Sequence, residues 1–201
     1  MNPIKLTIQD VLQGKDYLTL AEKTAFVAHA AERCFDRMNV SLDNGEDGLD
    51  LPMAPMYKEN TDRKGRYLMG LLARGYLGQA FQPAEKDPWL MSQDDYDRWA
   101  GGHVLNQLER MKGQRGEVRD KVFDLLADYR DAERRLNTEI RGMLTVMNEP
   151  VNRILATMQA QTTPEAFLEG KKKLDELAEE LKAYRDKLDT RRQTAGGGEE
   201  A

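Results

Sequence analysis

The sequence predicts an all-α chain. An N-terminal multi-helix globular part spans residues 1–113, and a C-terminal antiparallel helical hairpin with heptad-like seams spans residues 114–190. Three observations carry this. Apolar residues recur at spacings of three, four and seven, which line up on one face of a helix. Helix-opening residues stand just ahead of those stripes. From Glu117 to Asn148 the chain has no proline and a single glycine, Gly142.

The first helix is short, with Thr7 as its cap, Asp10 in its first turn and Gly14 at its end. The second opens at Thr19, with Glu22 three residues on, so that each side chain can satisfy the other's free backbone N–H. Leu20, Val27, Ala31, Cys34 and Met38 then form its stripe, widened by Phe26, Ala30 and Phe35. Residues 39–57 are predicted as loop, because Asn44-Gly45, Gly48, Pro52 and Pro55 punctuate them. A third helix starts near Asn60 or Thr61 and ends at Gly78, with Tyr67, Leu68, Leu71, Leu72 and Tyr76 on its apolar face. It contains Gly65, Gly70 and Gly75. Each glycine costs a helix roughly 1 kcal/mol against alanine, so close approach of another backbone is expected there.

A second loop runs from Gln79 to Met91, and Ser92 then caps a fourth helix. Tyr96, Trp99, His103, Leu108 and Met111 lie on one side of it, and Gly113 and Gly116 bracket a break. The next seam reads Val118, Val122, Leu125, Tyr129, Ala132, Leu136, then slips to Ile140, Met143 and Met147. Pro150 cannot donate its backbone N–H, so a kink or break is expected there. Thr163-Pro164-Glu165 opens a further helix, whose seam is Leu174, Leu177, Leu181, Tyr184 and Leu188. The terminal TAGGGEEA can bury nothing, so residues 191–201 are read as a disordered tail.

The composition narrows the function classes. A single cysteine, Cys34, excludes an intramolecular disulfide and fits a reducing compartment. The start lacks the pattern of a signal peptide, and no stretch has the apolar length of a membrane span. The expected location is the cytoplasm or a virion assembled there. Net charge is −5, but residues 58–81 hold five basic side chains against two acidic ones, for +3.

Candidate chemistry is sparse. Asp43, Asp47 and Gly48 match the start of a calcium loop, but Gly45 and Ala54 stand where ligands are required, so an acidic turn is expected. His29, Cys34 and His103 do not have zinc-ligand spacing, and Cys34 sits in an apolar stripe, where cysteine acts as a small hydrophobe. An acid–base site would have to gather Asp94, Asp97, His103 or Glu109. No nucleophile or phosphate-loop motif is present, and no cofactor is expected. Lys58, Arg63, Lys64, Arg66 and Arg74, interleaved with Tyr57, Tyr67 and Tyr76, form a candidate patch for nucleic acid or an acidic partner. Leu174, Leu177, Leu181, Tyr184 and Leu188 form a candidate protein-interaction seam, closed within the chain or open for self-association.

Three segments together resemble a known group: DYLTLAEKTAFVAHAAERCFDR (Asp16–Arg37), MYKENTDRKGRYLMGLLARGYLG (Met56–Gly78) and DDYDRWAGGHVLNQLERMK (Asp94–Lys112). They are similar to small, mostly uncharacterised helical proteins of bacteriophages and prophages. The resemblance covers about the first 110 residues and implies a virion-associated or unknown role, with no site residues to transfer. The expectation is therefore a non-enzymatic interaction protein in virion structure or assembly. The alternative is an inhibitor or regulator that binds a host nucleic-acid enzyme, or nucleic acid itself, through the Lys58–Arg74 patch.

Overall fold

The computed structural model describes residues 2–40 and 54–160, together with the single positions 172, 176 and 179. The described part is mostly helical, with one two-stranded sheet. The chain forms two compact units. One holds Met1–Asp36 and Lys58–Met143, the other Arg37–Tyr57 and Leu144–Ala201. The predicted seam of Leu174 to Leu188, the 163–165 helix start, the 43–48 turn and the 191–201 tail lie outside the described residues.

In the first unit, α1 (Ile8–Gln13) and α2 (Leu20–Ala31) begin as expected. Thr7 and Thr19 each accept from the backbone N–H three residues on, and Asp10 and Glu22 reach back to the capping residues. Phe26, Val27, Ala30 and Ala31 are buried on α2, but Leu20 is 62% exposed. The helix ends at Ala31, before the last third of its predicted stripe. Cys34 remains buried.

Asn60 caps α3 (Thr61–Gly70) by accepting from Arg63 N–H at 2.7 Å. The helix then widens into a π-helix, π1 (Leu71–Tyr76), in which Leu77 N–H reaches back five residues to Leu72 O at 3.0 Å. Longer rings of this kind are rare and cluster at functional places. Gly70 is required by packing. A Cβ there would collide with the Trp89 carbonyl and lie 3.2 Å from Phe81 Cζ. The expected close backbone approach is thus found at Gly70, while Gly65 faces the Tyr96 ring and Gly75 faces the side chains of Leu71 and Leu18.

The predicted fourth helix is two. α4 (Gln93–Gly101), capped by Ser92, stops at Gly101-Gly102-His103, and α5 (Val104–Met111) follows. His103 takes a left-handed conformation at φ +49° and turns the chain. The reason lies in the N-terminal segment, which crosses this corner. Ile4 N–H donates to Arg98 O at 3.1 Å, and Gln107 Nε2 donates to both Ile4 O and Gly102 O.

The helix α6 (Glu117–Ala160) has 44 residues, about 66 Å at 1.5 Å each. It runs through Pro150 without a break. Proline there removes one hydrogen bond to the Val146 carbonyl, and Val146 is 53% exposed. Val122, Leu125, Tyr129, Ala132, Leu136 and Ile140 are all buried. Tyr129 meets Tyr76 of the π-helix edge-on, with ring centroids 6.1 Å apart.

A buried polar cluster joins these elements. Asp128 on α6 accepts from Lys23 Nζ at 2.6 Å, Leu18 N–H at 2.8 Å and the Tyr76 hydroxyl at 2.8 Å. Lys23, 9% exposed, also reaches Asp131 at 3.4 Å. Burial pushes the Asp128 carboxyl up, but the Lys23 ammonium, the Leu18 N–H and the Tyr76 hydroxyl outweigh it and hold it below its ordinary value.

The chain departs from the prediction between α2 and α3. Phe35–Val40 is strand β1 and Ala54–Glu59 is strand β2, where helix end and loop were expected. Phe35 and Met38 stand three apart, which fits a helical stripe and puts them on opposite faces of a strand, so periodicity pointed to helix. Asn148 on α6 secures β2. Its side-chain Oδ1 accepts from Tyr57 N–H and its Nδ2 donates to Tyr57 O, both at 2.8 Å. One amide thus occupies both backbone groups of an edge residue.

Two outcomes are expected. Gly70→Ala lowers unfolding free energy by about 1–3 kcal/mol through overpacking against Trp89, measured by urea denaturation. For pH, Asp87, Asp128 and Asp131 all have folded values below the ordinary 3.8. Their contribution is therefore full above that value and is lost as pH falls through the lower folded ones. The urea midpoint should stay level from about pH 7 to 5 and fall below about pH 4.

Candidate functional site: a groove along α2

An open groove of about 410 Å³ lies along one side of α2 in the first unit. Helical spacing places Glu22, Ala25, Phe26 and His29 along it, and the chain before the helix adds Lys15 and Leu18. The π-helix supplies Arg74 and Gly75, and the loop after it supplies Trp89. Ala25 and Gly75 are small, which leaves depth between the larger apolar groups. Phe26 meets Trp89 edge-on, with ring centroids 5.6 Å apart. A volume of this size, mainly apolar with a few polar groups at its rim, matches ordinary binding sites.

Lys15 donates to Glu22 at 2.7 Å across the rim. That bond, with the Thr19 backbone and hydroxyl, lowers the Glu22 carboxyl to about 2. Both side chains are largely exposed, so the pair contributes little to stability.

The loop carrying Trp89 is held at many points. Pro83 and Met91 form an antiparallel bridge, and Ala84 N–H donates to Leu90 O at 2.7 Å. Glu85 and Lys86 turn it with φ of 53° and 59°. Asp87 is its anchor, with a side chain only 10% exposed. Its Oδ2 accepts from His29 Nε2 at 2.7 Å and from the Tyr67 hydroxyl at 2.6 Å, while Oδ1 accepts from Trp89 N–H at 3.0 Å. Burial raises the Asp87 carboxyl, but these three donors prevail and lower it.

The predicted basic patch is largely absorbed by the same loop. Arg63 pairs with Glu85, Arg66 Nε donates to Met91 O at 2.7 Å, and Arg74 Nη1 donates to Pro88 O at 2.6 Å. Arg74 also lies over the Phe81 ring at 5.2 Å. Lys64 pairs with Glu59 and donates to Asn137 at 3.1 Å. Lys58 is exposed. Tyr67 and Tyr76 are fully buried, so neither can stack on a base.

The other candidates are not brought together. Asp94, Asp97 and His103 are exposed, and Glu109 is paired with Lys112 and Arg130. Burial pushes the Cys34 thiol up to about 12, so it stays protonated inside the core. Among the described residues no three histidine, cysteine or acidic side chains form a metal-holding group, and no helix is long and apolar enough to cross a membrane.

Asp87 and Trp89, on a proline-flanked loop, were not singled out by sequence reasoning. Their only local signal was the run Asp87-Pro88-Trp89, which reads as a turn. Comparison of the chain with protein-family models, curated proteins and solved structures finds no match.

Asp87→Ala leaves His29 and Tyr67 without their acceptor, so amide hydrogen exchange in residues 84–90 should rise at least tenfold while α6 stays protected. The engagement of Arg63, Lys64 and Arg66 also predicts no saturable binding of a labelled single-stranded oligonucleotide at about 50 mM salt. Binding that fell steeply between about 50 and 200 mM would revive the nucleic-acid patch.

Proposed function

We propose that this chain is a non-enzymatic helical interaction protein that acts by protein–protein contact, with phage virion structure or assembly as its setting. The observation that carries the reading is the division of labour among its side chains. Asp87, Asp128, Arg63 and Arg66 hold segments of the chain itself. Several large apolar side chains meet solvent, among them Tyr17 at 68% exposed, Phe123 at 50% and Val146 at 53%, and Trp89 lines an open groove. Exposed apolar groups and recesses lined by aromatic side chains are the usual basis of docking. The phage setting rests on the resemblance of residues 16–112 alone.

Burial of the α6 seam against the N-terminal elements also bears on assembly. Val122 to Ile140 are used within the chain, so self-association falls to the second seam, at Leu174, Leu177, Leu181, Tyr184 and Leu188. The inhibitor reading through Lys58–Arg74 has less support, because most of that patch is occupied.

Light scattering tests the proposal. The full chain should have a mass of at least a dimer, and Leu177→Glu with Leu181→Glu should return it to a monomer with unchanged helical circular dichroism. An assembly unaffected by the double substitution removes the seam from the account.

A further inference from the structure

Resting on the interaction reading, we propose that the α2 groove is a docking site for an acidic segment of a partner protein that carries one large apolar side chain. The apolar part of the argument is geometric. Leu18, Phe26 and Trp89 surround a recess whose other contributions from α2 and the π-helix include Ala25 and Gly75, residues too small to fill it. Trp89 is half-buried although its loop is clamped from both sides. Its ring is therefore fixed before any partner arrives, which lowers the ordering cost of binding. Tryptophan is among the residues enriched as anchors at interfaces.

Charge selects the partner. The charged groups lining the groove are Lys15 and Arg74 against Glu22, while His29 is bonded to Asp87. The chain as a whole is acidic, at −5, so this is a local reversal. Lys15 pairs with Glu22 only across solvent, with side chains 57% and 43% exposed, and can share an incoming carboxylate. Arg74 uses one nitrogen on Pro88 O, and a guanidinium has five N–H donors. His29 is turned toward Asp87, so the acidic partner meets Lys15 and Arg74 first. Complementary charge of this kind sets specificity and association rate, and is weakened by salt.

The test uses a yeast-displayed library of random dodecapeptides against the full chain. Enriched peptides should combine several Asp or Glu residues with one aromatic or branched aliphatic residue. The best synthetic peptide should shift tryptophan emission, a signal lost in Trp89→Phe because Trp99 is buried. Ala25→Glu, on an exposed helix face, should weaken binding at least tenfold, as should Lys15→Glu. Circular dichroism checks each fold, and Lys15→Glu keeps the test decisive should Ala25→Glu misfold. Enrichment without acidic bias, no enrichment at all, or acidic peptides that bind both variants as tightly as the parent would overturn the groove assignment. The seam's role in assembly is judged separately by light scattering, so failure here leaves that reading standing or falling on its own result.

Discussion

The first unit depends on one carboxylate. Asp128 receives donors from three places distant in sequence: Lys23 on α2, the Leu18 backbone ahead of it, and Tyr76 at the end of the π-helix. Removing the carboxylate leaves an ammonium, a backbone N–H and a hydroxyl without their acceptor, which costs more than the bonds themselves contribute. Hydrophobic contact alone permits α6 to slide or rotate against α2. The Asp128 cluster allows one register, and the seam of Leu125, Tyr129, Leu136 and Ile140 packs in that register.

A second carboxylate plays the same part for the loop before α4. Asp87 ties it to α2 through His29 and to α3 through Tyr67, while Arg63, Arg66 and Arg74 hold its far side. The result is a rigid Trp89 beside a groove bounded by a π-helix. Fold and proposed function meet here, because charges that hold the loop also shape the surface offered to a partner.

Local features of the fold were legible in the sequence. The caps at Thr7, Thr19, Asn60 and Ser92 are all used as such, because a capping side chain needs only residues three positions away. The buried stripe of α6 was legible for the same reason. The all-α expectation missed β1 and β2, since a short mixed segment becomes a strand through pairing with another segment rather than through its own pattern. The single fourth helix missed the turn at His103, which is imposed by a segment nearly a hundred residues earlier. The basic cluster was visible as composition, but its partners Glu85, Pro88, Met91 and Asn137 lie 14 to 73 residues away. Asp87 and Asp128 carried no signal, because a carboxylate's role in a core is set by what folds around it.

A double-mutant cycle on Lys23 and Asp128, read by urea denaturation, tests the central claim most directly. Asp128→Leu alone should cost about 3–5 kcal/mol, because it leaves the buried Lys23 ammonium with only its longer contact to Asp131 and the Tyr76 hydroxyl without its acceptor. Adding Lys23→Met should recover a large share of that loss, giving a coupling of about 1 kcal/mol or more. Two single substitutions that each cost under about 0.5 kcal/mol and simply add would contradict the account, and would mean that apolar packing alone sets the register of α6.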